Sequence, residues 1–151
     1  MTVVDPHLDA QVRLRIEHEL IQLNNAFAYD IDHGEFDALV DLFTEDGVFD
    51  RAGPVHRGRA ELREAMQARP NVTTRHLVTN VHFLSVGPDE AEGTATFLTF
   101  HGHGELGDEP LVYGTAQGRL LELRDTYRRT DEGWKFATRI ATPIFVPEVW
   151  P

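Results

Sequence analysis

One carboxylate near the end of a helix and three histidines on strands have the types and spacing for chemistry in this chain. Ile16, Leu20, Leu23 and Phe27 recur at steps of four, three and four, the spacing of one buried helical face. Continuing the series by three reaches Asp30, a carboxylate where an apolar residue is expected. Burying a carboxylate alone is very costly, so Asp30 calls for a partner or a pocket. Asp32 and His33 project elsewhere, towards solvent. Tyr29 lies about 100° from Asp30 around the helix and reaches a pocket only at its edge.

The possible partners are histidines. His76 opens a long strand, in phase with Val78, Asn80, His82 and Leu84. Its ordinary role would be that of a hydrogen-bonded core residue. A carboxylate on one ring nitrogen would instead fix the tautomer and support the charge formed when the other nitrogen takes a proton. An Asp30–His76 pair would suit abstraction of a proton next to a carbonyl near neutral pH.

His101 and His103 form an H-x-H pair on the same strand face as Ala95, Phe97 and Thr99. Such a pair can chelate zinc or iron, with His76 or Asp30 completing the set. The alternative places His101 inward and His103 at the loop. Phe27 and Phe97 are the apolar substrate contacts on these faces. Arg139 shares its phase with Lys135, opposite Trp134, Phe136, Thr138 and Ile140, and so reads as solvated. A bulge or sheet twist would turn it inward, where it could clamp an anionic substrate or stabilise a leaving group.

Several other chemistries lack their signatures. There is no phosphate loop or dinucleotide glycine fingerprint, and Ser85 has no nucleophile elbow around it. With no cysteine there is no disulfide, thiolate zinc site or cysteine nucleophile.

The elements that must position these residues follow from periodicity. Residues 1–11 read as a flexible arm and 12–151 as a single domain. A first helix runs from about Leu14 to a stop at Gly34. A short second helix follows, carrying Phe36, Leu39, Val40 and Phe43. Then come a turn over residues 44–47, a short strand Val48–Asp50, and a third helix from about Ala60 to Arg69. From Thr73 the period becomes two, giving strands at about 74–86, 91–103, 112–129 and 134–145. Helices followed by an antiparallel meander make the class α+β. Long curved strands would close into a cone whose mouth is the pocket.

At 151 residues the chain fits one domain with a sizeable core. A formal charge of −11 argues against nucleic acid and against an anionic membrane surface. The N-terminus does not read as a signal peptide, and no apolar run approaches a transmembrane length, so the expectation is cytoplasmic.

The chain resembles the nuclear transport factor two-like superfamily over about residues 12–145, and within it the SnoaL-like and scytalone dehydratase-like enzymes. The resemblance rests on the Ala28-Tyr29-Asp30 helix end, Phe36-Asp37-Ala38-Leu39, Glu45-Asp46-Gly47 before Val48, Arg57-Gly58, Thr74-Arg75-His76, and Gly133-Trp134-Lys135-Phe136. It implies a cone-shaped α+β barrel, N-terminal helices packed on a curved antiparallel sheet around a pocket. Similarity to scytalone dehydratase implies a base made of Asp30 and His76, with Tyr29 and His101 on the carbonyl or departing hydroxyl. The chain departs from that enzyme at Arg51, which replaces a pocket tyrosine, and near Leu121 and Leu123, which replace polar residues. Similarity to hexachlorocyclohexane dehydrochlorinase places its dyad on Asp30 and His76 and its arginine on Arg139. Both relatives eliminate without a cofactor.

The expectation is therefore a cofactor-independent lyase, most simply a dehydratase, acting on a small, partly apolar carbonyl compound. An isomerase or polyketide-type cyclase with the same dyad is the alternative. So is a non-catalytic ligand-binding protein or a structural subunit of a ring-hydroxylating dioxygenase. The expected assembly is a homo-oligomer, dimer or trimer, with the tail Pro143–Trp150 or an open sheet face as contact.

Overall fold

The computed structural model describes residues 2–111 and 118–146, except for the side chain of His103. Helix α1 spans Ala10–His33. It starts earlier than the apolar period indicates because the Asp9 side chain accepts hydrogen bonds from the N–H groups of Gln11 and Val12, at 2.8 and 3.3 Å. It ends where Gly34 takes the left-handed conformation, φ 73°, and donates its N–H to the carbonyl of Asp30. Its buried face is Ile16, Leu20, Leu23, Phe27 and Ile31. Helices α2, Phe36–Asp41, and α3, Gly58–Gln67, complete the helical layer.

The strands are β1 (Val3–Val4), β2 (Phe43–Asp50), β3 (Val55–Arg57), β4 (Val72–Val86), β5 (Glu90–His103), β6 (Gly118–Thr130) and β7 (Gly133–Phe145). They form one seven-stranded sheet in the order β1-β4-β5-β6-β7-β2-β3. The central β4–β7 meander is antiparallel, while β1 on β4 and β2 on β7 are parallel pairs. The sheet is thus mixed, curved around the helices into a cone-shaped α+β barrel.

Two local expectations change, and a third lies partly outside the described residues. Val3–Val4 lies in the sheet beside Ser85 and Val86, so part of the expected arm is ordered strand. Phe43 and the expected turn 44–47 belong to β2, which carries a register shift before Val48. A Cβ on Gly47 would stand 2.9 Å from the carbonyl oxygen of Thr44, so glycine is what that bulge accommodates. The start of the expected third strand, residues 112–117, falls outside the described residues, as does the tail from 147.

Two further bulges set which side chains face inward. On β4, Thr79 pairs with Thr96 but His82 with Thr94, and Asn80 takes φ 52°, a conformation asparagine tolerates. The inner face therefore passes from Thr74, His76 and Val78 to Val81 and Phe83, and His82 is exposed. The single phase expected from His76 to Leu84 is broken there. On β7, Thr126 pairs with Thr138 and Tyr127 with Phe136, leaving Ala137 as an extra residue. Past it the inner face moves from Trp134 and Phe136 to Arg139 and Ala141.

The core is aromatic. Phe27 meets Phe43, Phe49, Phe97 and Phe136 at centroid distances of 5.5–6.1 Å, mostly edge-on. Burial of one such ring contributes about 1.5–3 kcal/mol. Among the described residues no helix is long and apolar enough to cross a membrane.

Candidate functional site

A cavity of about 130 Å³ opens between α1 and the inner face of the sheet. Phe27 and Ile31 line it from α1, Phe49 from β2, Arg51 from just beyond β2, and Arg69 from just beyond α3. The sheet supplies His76, Phe97, Thr99, His101, Arg119, Leu121, Leu123, Arg139 and Ala141. Among the described residues four arginines line the cavity and no acid does.

His76 is held by a carboxylate, and that carboxylate is Asp32. The ring Nδ1 lies 2.6 Å from Asp32 Oδ1, and the backbone N–H of His76 donates to Oδ2 at 2.7 Å. Thr74 Oγ1 donates to Oδ1 at 2.8 Å. Desolvation raises the Asp32 pKa, but the bonds from the His76 ring, its charge, the His76 N–H and Thr74 outweigh it, and the net direction is downward. An ionised Asp32 accepts at all of these contacts, so Nδ1 must carry the proton in the neutral ring. Nε2 is then the basic nitrogen. Among the described residues it has no hydrogen-bond partner.

The assignment of Asp30 as partner is corrected accordingly. Asp30 is buried but lines no part of the cavity. Burial first, then the Glu35 carboxylate, push its pKa up against the pull of His33. The error lies in the helical step. From Phe27 the buried stripe advances by four to Ile31, and a second column, Asn24–Ala28–Asp32, runs beside it. Asn24 and Asp32 are both polar on that flank, which was the signal available in the sequence.

The other expected residues divide. Phe27, Phe97 and His101 line the cavity, as do Leu121, Leu123 and Arg51. Tyr29 does not: it is 59% exposed and stacks on His33 at 4.1 Å. His101 is lowered from its ordinary 6.5 to about 4, by burial first and then by Arg119, His76 and Arg69, against the opposing pull of Asp32. At neutral pH it is uncharged. The His103 side chain lies outside the described residues, and among the described ones no group of three or more metal-ligating side chains gathers.

The outward reading of Arg139 is also corrected, since the Ala137 bulge turns it inward. It is fully buried, donating from Nε and Nη2 to Asp125 at 2.9 and 2.8 Å and from Nη2 to Asn24 Oδ1. Asn24 Nδ2 donates to Tyr127 Oη at 3.0 Å, and that hydroxyl donates to Asp125 at 3.1 Å. The guanidinium lies against the Phe27 and Phe136 rings at 4.4 and 4.0 Å, and these two rings are edge-on to each other. Only Nη1 lacks a partner. The solvent-facing reading of Asp32 is corrected too, since its side chain is 6% exposed against His76, and sequence reasoning passed over Arg69 and Arg119. Arg69 closes the expected third helix, and Arg119 shares the phase of Leu121 and Leu123 on β6, so alternation carried a signal for Arg119.

A SnoaL-like domain model matches residues 12–140. No curated protein matches the chain. Among solved structures it is similar to a protein of unknown function from Mycobacterium tuberculosis, 26% identical over 95% of this chain and 83% of that one, TM-score 0.72. It is also similar to a protein from Streptomyces avermitilis described as a dehydratase of the nuclear transport factor two-like family, 25% identical over 87% and 99%, TM-score 0.70. A Novosphingobium aromaticivorans protein described as a scytalone dehydratase, 20% identical over 93% and 90%, TM-score 0.71, shares the fold. The family match, the cone-shaped barrel and these neighbours agree: the chain belongs to the SnoaL-like domain family of the nuclear transport factor two-like superfamily.

Proposed function

We propose that the protein is a lyase of the dehydratase type, working by acid–base chemistry with Asp32 and His76 on a small, partly apolar carbonyl compound. The observation that carries this reading is the His76 ring, tied at Nδ1 to a carboxylate and lining the cavity with Nε2 left unbonded by the Asp32 contact. Nε2 takes a proton from the carbon next to the carbonyl. The electron pair of that C–H bond forms the new C=C bond as the β C–O bond breaks. The departing hydroxyl takes the proton back from His76 and leaves as water. Asp32 stabilises the transient imidazolium without itself becoming protonated. Neutral His101 and Arg139, whose Nη1 has no partner, line the same cavity, where an enolate-like oxygen would gain charge. The kinship with a Streptomyces avermitilis protein described as a dehydratase supports elimination over isomerisation.

The test is proton exchange and elimination, followed by NMR in D₂O across a panel of cyclic and β-hydroxy carbonyl compounds. Activity on a panel member should fall by about 10²–10⁴-fold in His76→Ala and comparably in Asp32→Asn, with folds retained. Full activity in either variant would reject the mechanism.

A further inference from the structure

The chain carries a formal charge of −11, yet the walls of its cavity concentrate positive charge. Arg139 has its counter-ion in Asp125. Arg51 and Arg69 have none: among the described residues neither guanidinium makes a hydrogen bond or ion pair, although the Asp32 charge reaches Arg69. Burial disfavours the charge on both, and for Arg69 the Arg51 charge adds to that effect. Guanidinium groups do not deprotonate in proteins, so this repulsion is borne by the folded chain. Two like charges facing a small, half-apolar cavity are stabilised when an anion sits between them.

A second observation is independent of charge. Thr99, 2% exposed and lining the same cavity, has a buried hydroxyl with no hydrogen-bond partner, as does Arg139 at Nη1. Buried polar groups are almost always satisfied, so these mark places for ligand oxygens. Seven of the lining residues (Phe27, Ile31, Phe49, Phe97, Leu121, Leu123 and Ala141) are apolar. The ligand that complements both halves has an apolar body and a compact anionic end.

We infer that this cavity takes a small carboxylate, its anionic end held by Arg51 and Arg69 and its apolar body against Phe27, Phe49 and Phe97. This names the substrate class of the proposed elimination and rests on that reading: the substrate is a carbonyl compound that also bears a carboxylate. A carboxylate is favoured over a phosphate because a planar, singly charged group leaves the apolar walls to the rest of the molecule.

Calorimetric titration with benzoate, with benzamide as its uncharged counterpart, and with inorganic phosphate tests this on the intact protein. Benzoate should bind at least about tenfold more tightly than benzamide, the size of one charge-assisted contact. Its affinity should fall about tenfold in Arg51→Gln and in Arg69→Gln, and less in the corresponding lysine variants. Equal affinity for benzoate and benzamide in the wild type, no binding of either, or tighter binding of phosphate would overturn the proposal. So would an undiminished benzoate preference in both glutamine variants. His76→Ala should keep the benzoate preference, which separates the two readings. Loss of turnover without carboxylate preference refutes the anion site alone, and carboxylate preference in an enzyme indifferent to His76 refutes the base alone.

Discussion

Helix α1 supports two carboxylate-anchored arrangements, and they differ in one respect. Deep in the cone, Asp125 and Arg139 pair with both side chains fully inaccessible, and Asn24 and Tyr127 close the network. Nearer the mouth, Asp32 and His76 keep side-chain exposures of 6% and 11%, and the ring lines the cavity. The first arrangement satisfies almost every polar atom from within the chain. The second satisfies one ring nitrogen and leaves the other for a ligand. A sealed network holds shape, and a half-sealed one holds a reactive group in place.

Breaking the sealed network should have the largest effect. Asp125→Ala leaves a buried guanidinium without its counter-ion and should cost about 3–5 kcal/mol. Calorimetry should show that as a drop in Tm of roughly 6–20 °C. The double variant Asp125→Leu/Arg139→Met should recover much of the loss. A single variant as stable as wild type would mean that the network does not hold the closed end.

The half-sealed site should show itself in pH dependence. His101 titrates near 4 when folded and near 6.5 when unfolded, so the unfolded chain binds more protons between those values. Stability should therefore fall as pH drops from about 6.5 towards about 4. The lowered Asp32 loses its contribution only below its ordinary 3.8, outside that window. Urea midpoints at pH 7 and pH 5 should diverge less in His101→Asn than in wild type. An unchanged divergence would remove His101 from the low-dielectric wall.

The smallest effect is expected at the carboxylate that belongs to neither arrangement. Asp30 has a raised pKa, so its charged form is disfavoured in the fold and an amide removes that cost. Asp30→Asn should leave turnover unchanged and stability within about 0.5 kcal/mol of wild type, or slightly higher. A loss of activity there would reinstate Asp30 in the site.

The particular residues show what a sequence can reveal of this molecule. Alternation placed His101 correctly with Phe97 and Thr99, because β5 runs without a bulge of its own along Ala91–His101. It failed on β7, where one extra residue, Ala137, exchanges the two faces and nothing in Lys135–Ile140 announces it. The helix period located the end of α1 as the place for a carboxylate but not which one. Steps of three and four are equally helical, and the polar Asn24–Asp32 flank becomes decisive only once β4 is placed beside it. Arg69 follows α3 and Arg119 lies on β6, segments far apart in the chain that meet only where the helical layer packs on the sheet.

The central claim is that Asp32 fixes His76 with its proton on Nδ1 and its lone pair on Nε2. Long-range ¹H–¹⁵N NMR on the histidine side chains reads this without a substrate. The neutral His76 ring should be the Nδ1–H tautomer, with a strongly deshielded Nδ1 proton that is lost in Asp32→Asn and kept in Asp30→Asn. An Nε2–H tautomer in the wild type, or a His76 spectrum indifferent to Asp32→Asn, would contradict the account.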